Sequence, residues 1–198
     1  MTAPIALPAQ RADDVAELPR VPSAADLNWL RAGVLGANDG IVSIAATVVG
    51  VAGATAEVNA LLIAGIAALV AGALSMAAGE YVSVSSQRDA EVVAARLRAA
   101  AGHSDKPELT NPWHAAIASL GAFAVGGLIP LLVVLAPWGG FRVPATFVAV
   151  VVALVVTGWV SARFSGASVR RAVLRNVVGG GLAMAVTFGI GSLVGLAV

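Results

Sequence analysis

Two carboxylates and a thioether sit where a highly apolar sequence has few reasons to keep them. Met76 and Glu80 lie four residues apart in Gly72-Ala-Leu-Ser-Met-Ala-Ala-Gly-Glu-Tyr-Val-Ser-Val-Ser-Ser-Gln87, so as helix they stack on one face, and Ser83 and Gln87 continue the stripe. Asp39 in Gly36-Ala-Asn-Asp-Gly40 is the other acid inside an apolar segment. An acidic side chain near a bilayer centre costs roughly 2.5–3.5 kcal/mol on insertion scales, so its presence there points to function. Carboxylates with a soft sulfur suit Fe²⁺, Mn²⁺ or Co²⁺, the thioether separating a transition metal from Mg²⁺ or Ca²⁺. Methionine on its own is more often packing material, and Glu80 alone is readable as a helix end reaching solvent beside Arg88.

The elements that must position these groups are transmembrane helices. With 59% hydrophobic and 12% charged residues and a mean hydropathy of +0.90, the sequence defines an all-α integral membrane protein. Residues 1–27 hold four prolines among mixed charges and read as a flexible tail without a signal-peptide core. Five segments follow, at about 29–53, 59–87, 112–136, 144–165 and 172–197, forming one domain over 28–198. Each is long enough to cross a hydrocarbon core of roughly 30 Å. Placing the N-terminus in the cytoplasm puts every Lys and Arg except Arg142 on that side, and the odd number of spans leaves the C-terminus opposite. Trp29, Trp113, Trp138 and Trp159 then fall near the two interfaces.

At 1.5 Å per residue, Asp39 lies about 15 Å along its helix from Trp29, near mid-membrane. Glu80 lies about 32 Å from Asn59, at the cytoplasmic mouth, with Met76 about 6 Å further in. The three form a ladder from mouth to centre, to which Ser43, Thr47 and Met184 are candidate additions along a translocation path. One chain offers too few ligands for octahedral coordination, whereas two copies about a two-fold axis supply two Asp, two Glu and two Met; a homodimer is expected. The small residues Gly33, Gly36, Gly40, Ser43, Thr47 and Gly50 form a seam on the first helix. It serves either packing within the chain or self-association, the latter through Gly36 and Gly40.

Cysteine is absent and both histidines lie outside the apolar cores, which removes disulfides and Cys/His metal sites. No cofactor is expected beyond the transported ion, and no nucleic-acid surface is visible. An intramembrane aspartyl protease needs two facing aspartates, and one chain supplies only Asp39. A non-transporting scaffold would need the small-residue seams alone.

The blocks Leu30-Arg-Ala-Gly-Val-Leu-Gly-Ala-Asn-Asp-Gly-Ile-Val-Ser43 and Ala73-Leu-Ser-Met-Ala-Ala-Gly-Glu-Tyr-Val-Ser-Val-Ser-Ser-Gln-Arg-Asp89 resemble the vacuolar iron transporter family, including its nodulin-21-like members. The resemblance continues through Asn111-Pro-Trp, Gly126-Gly-Leu-Ile-Pro130, Thr157-Gly-Trp and Gly179-Gly-Gly-Leu-Ala-Met-Ala-Val-Thr187. It implies a dimeric five-helix transporter moving Fe²⁺, and often Mn²⁺, out of the cytosol in exchange for protons. Asp39, Met76 and Glu80 match the family's path aspartate, path methionine and Gly-Glu-Tyr glutamate. The membrane of residence would be the cell membrane in a prokaryote and a vacuolar or other internal membrane in a eukaryote. Full-length relatives insert a glutamate-rich cytoplasmic helical domain after the second helix. Here Arg88–Thr110 is a short connection whose acids are Asp89, Glu91, Asp105 and Glu108, so this is a short member without that domain.

Overall fold

The computed structural model describes residues 24–103 and 109–197, with side chains from residue 28 onward. Five long helices account for almost all of them: α1 (Ala24–Ala54), α2 (Val58–Ala100), α3 (Pro112–Leu135), α4 (Arg142–Ser165) and α5 (Val169–Ala197), with a single 3₁₀ turn at Gly139–Phe141. There is no strand among the described residues. All five helices are long and apolar enough to cross a membrane, and the protein is a multi-pass, all-α integral membrane protein.

Local sequence explains most boundaries. Asn111 caps α3, its side-chain oxygen accepting from the Trp113 amide at 3.0 Å, with Pro112 at the first helical position. Gly166, at φ 66°, closes α4 in the left-handed conformation that glycine adopts without a Cβ penalty. The largest difference from expectation is α2, which continues from Gln87 to Ala100 without a break. Residues 88–100 are Ala, Arg, Glu, Val, Leu and Asp with neither Gly nor Pro, so polarity ends the membrane span there but nothing ends the helix. At about 65 Å, α2 is twice what a bilayer core requires, and its last three to four turns project beyond the span. The expected tail at 1–27 falls mainly outside the described residues, and its last four form the first turn of α1.

The projecting part of α2 is tied to the start of α3. Glu91 Oε2 accepts from the Thr110 amide at 2.8 Å and its hydroxyl at 3.1 Å, while Glu91 Oε1 accepts from Gln87 Nε2 at 2.9 Å. Nearer the membrane span, the rings of Tyr81 and Trp113 meet with centroids 4.8 Å apart.

The bundle is organised around α1, which touches each of the other four helices. One side of α1 presents Ile44 and Val48 to Leu61 and Ala73 of α2 and to Phe123, Leu131 and Val134 of α3. The other presents Ile41, Ala45 and Val49 to Val150 and Leu154 of α4 and Met184 of α5. Large apolar side chains face outward instead, as at Ile63, Val125, Leu132 and Leu193. Lipid tails solvate such groups as well as a protein core does, so helix association rests on close approach of small residues.

The α1 seam illustrates this and corrects one expectation. A Cβ on Gly36 would lie 2.5 Å from the Ser119 carbonyl oxygen, and one on Gly40 would run into the Phe123 carbonyl. In return, a Cβ on Gly126 would come within 2.5 Å of the Ala37 carbonyl oxygen. Further along, Gly50 and Gly53 pack on Thr187, Phe188 and Ser192 of α5. Gly36 and Gly40 are therefore consumed by α3 of the same chain and are not available to a second copy.

Candidate functional site

Between α1, α2 and α3 lies a cavity of about 370 Å³. Asp39 and Ser43 line it from α1, Met76, Glu80 and Ser83 from α2, and the Phe123 ring from α3. The helical stripe explains the α2 contribution: positions 72, 76, 79, 80 and 83 share a face, and that face is turned to the cavity. Gly72 is bare where the Phe123 ring rests against it, which lets the ring form a wall close to Met76.

Asp39 is half-buried, and its Oδ1 accepts a hydrogen bond from Ser43 Oγ at 3.1 Å. Ser43's own carbonyl accepts from Thr47 Oγ1 at 2.9 Å, so the hydroxyls follow one another along α1. Glu80 is 7% exposed. Its Oε2 is shut off from the surface and has no hydrogen-bond partner among the described residues. A buried carboxylate oxygen without a donor is costly, and the usual compensations are a cation or a proton. Met76 packs half-buried at the edge of the apolar cluster that includes Ala73 and Phe123.

Five of the residues singled out in the sequence thus meet in one cavity: Asp39, Met76, Glu80, Ser43 and Ser83. Three do not. Gln87 is engaged by Glu91 at the projecting end of α2. Thr47 lines a separate, almost wholly apolar cavity of about 350 Å³ with Gly50 and Thr187. Met184 is fully buried against Ile41, Val150 and Leu154 on the far side of α1 and is core packing, not part of a path through this cavity. Sequence reading missed Phe123 and Ser75, which also line the cavity. Ser75 sits within the marked stretch, whereas nothing local distinguishes Phe123, whose role depends on Gly72 across the helix interface.

The donor set is two oxygen acids and a thioether. No group of three or more His, Cys, Asp or Glu side chains is gathered anywhere among the described residues. A single chain therefore offers a partial coordination shell of mixed hardness, facing a cavity inside a helical bundle. These features describe a multi-pass membrane protein in which polar groups of the first two helices face one cavity.

The chain belongs to the VIT family, whose model matches residues 30–98 and 90–192. It is 45% identical over 168 residues to vacuolar iron transporter homolog 4 of Arabidopsis thaliana, the match covering 84% of each chain. It is 46% identical over 169 residues to homolog 2 of the same plant, covering 85% of each. Vacuolar iron transporter homolog 1 of Oryza sativa subsp. japonica is 46% identical over 176 residues, covering 85% of this chain and 75% of that one. The family is one of transporters, so the protease alternative is set aside. These relatives are of similar length, and the absence of a long insertion between α2 and α3 is consistent with a short member.

Proposed function

We propose that this protein exports Fe²⁺ or Mn²⁺ from the cytosol in exchange for protons, using Asp39, Met76 and Glu80 as ligands. The observation that carries the reading is Glu80 Oε2, enclosed and without a donor, in a cavity that also holds Asp39 and Met76. The relatives' printed names, vacuolar iron transporter homologs, support the cargo and, in a compartmented cell, a vacuolar membrane. The bias of Lys and Arg toward one end of the bundle supports a cytoplasmic N-terminus and hence the export direction.

Metal entering the cavity stabilises both carboxylates in the ionised form, so it competes with protons for them. Exposure of the site alternately to the two sides turns that competition into antiport. A second copy completes the ligand set, with the α1–α2 face, where Gly79 has open space beside it, turned toward the two-fold axis. Proteoliposomes loaded with a pH dye test the proposal, with Fe²⁺, Mn²⁺, Co²⁺ and Zn²⁺ compared side by side. Metal influx should drive protons outward, and an outward proton gradient should accelerate uptake. Metal flux without a pH change and without response to an imposed gradient would refute exchange, and absence of flux for all four ions would refute the cargo.

A further inference from the structure

A second cavity, of about 430 Å³, opens between α1, α4 and α5 on the side of α1 away from Glu80. Its polar lining is cationic and neutral: Arg31 of α1 and Arg175 of α5, with Asn38, Asn176, Ser161 and Ser165, and no acidic residue among them. Arg31 Nη2 is braced by Asn28 Oδ1 at 3.1 Å, which aims a guanidinium from the first turns of α1. Asn38 Oδ1 is shut off from the surface and accepts no hydrogen bond from the described residues. The remaining lining is apolar. Three of its residues, Leu30, Val34 and Phe164, also line an adjoining groove of about 230 Å³ that is almost wholly apolar and reaches Trp29 and Thr157.

A cationic pocket continuous with an apolar groove, at the level of the exposed indoles Trp29 and Trp159, has the layout of an amphiphile. We infer that this pocket binds an anionic glycerophospholipid, its phosphate between Arg31 and Arg175 and an acyl chain in the groove beside Val34 and Phe164. Guanidinium groups favour phosphate through paired charge-assisted hydrogen bonds. Because Arg31 belongs to the same helix as Asp39, a lipid held there would brace the helix that, on the reading proposed above, presents a cation ligand.

The test is thermal unfolding of the purified full-length protein in detergent with added dioctanoyl phosphatidylglycerol, dioctanoyl phosphatidylcholine, or inorganic phosphate with glycerol. Phosphatidylglycerol at a hundredfold excess over its Kd should raise the midpoint by roughly 5–10 °C. The choline lipid and free phosphate should leave it unmoved. The double substitution Arg31→Gln with Arg175→Gln should weaken the response at least tenfold, and Arg171→Gln, outside the pocket, should not. Native mass spectrometry of the unaltered protein, should the double variant not fold, is expected to retain phosphatidylglycerol in preference to the choline lipid. Equal shifts from the two lipids overturn the charge argument, an equal shift from free phosphate overturns the acyl-chain assignment, and an undiminished response in the double variant overturns the location.

Discussion

Replacing Glu80 with leucine should make the protein more stable and inactive at once. The carboxylate is 7% exposed and its Oε2 has no donor. Leaving a buried polar atom unpaired costs about 1–3 kcal/mol. Leucine removes the atom, is of similar bulk, and shares the cavity with Met76 one turn away on α2 and with Phe123 of α3. Oε1 is not among the enclosed unpartnered atoms, so the gain should lie in the lower half of that range, about 1–2 kcal/mol. For a chain of this length that corresponds to a rise in Tm of roughly 2–8 °C. The assay is paired: unfolding in detergent followed by tryptophan fluorescence, and Fe²⁺ or Mn²⁺ flux in proteoliposomes from the same preparation. A Glu80→Leu protein that is less stable than the parent would mean the carboxylate holds the fold together, and the ligand assignment would fail. Unchanged flux in a stabilised protein would refute it as well.

Asp39→Asn should abolish flux with little change in Tm, because asparagine still accepts the Ser43 hydrogen bond while the charge facing the cation is lost; undiminished flux would remove Asp39 from the site. Met76→Leu should keep the packing against Ala73 and Phe123 but let Mg²⁺ compete with Mn²⁺, and identical competition in mutant and parent would exclude the sulfur. Gly40→Ala should cost at least the upper end of roughly 1–3 kcal/mol, since the new methyl meets the Phe123 backbone, whereas Gly79→Ala, mid-helix with open space beside it, should raise stability by up to about 1 kcal/mol; equal Tm values would refute the α1–α3 register. Desolvation pushes the Glu91 carboxyl up, but the hydrogen bonds from the Thr110 amide, Gln87 and the Thr110 hydroxyl, with Arg88 nearby, outweigh it and leave it below the ordinary glutamate value of 4.5. A lowered folded-state value means the clasp stabilises fully at neutral pH and is lost as pH falls below the ordinary value through the lowered one. The parent should therefore lose more Tm between pH 6 and about 4 than Glu91→Gln, and parallel curves would refute the clasp.

The five helices were legible because each apolar run is long, and the acids were legible because Asp39 and Glu80 are the only acidic residues in those runs. Their convergence was legible only in part. The stacking of Met76 and Glu80 follows from helical period, yet their pairing with Asp39 across α1 and α2 depends on Gly72 admitting the Phe123 ring. Small residues marked α1 as a packing helix without naming the partner, since a glycine records that something comes close and not what. The α3 carbonyls at Ser119 and Phe123 supply that answer for Gly36 and Gly40. The length of α2 was misjudged for a related reason: hydropathy reports where a span ends, while helix formation past Gln87 follows from propensity.

The central place of α1 also bears on how the chain is assembled. It emerges before the partners that cover its glycines, which are α3, at Gly36 and Gly40, and α5, at Gly50 and Gly53. Between its insertion and theirs, α1 must reside in lipid with its closest-packing surfaces unmet, because α2 lies mainly along the Ile44 and Val48 side. Order of synthesis and order of packing are thus opposed: the axis of the bundle precedes the helices that enclose it, and is covered along its second half only when α5 brings Gly191 and Gly195 against Gly50 and Ala54. A chain cut after Ser165 would keep Asp39, Met76 and Glu80 and yet lack the α5 surface that covers Gly50, Gly53 and Ala54.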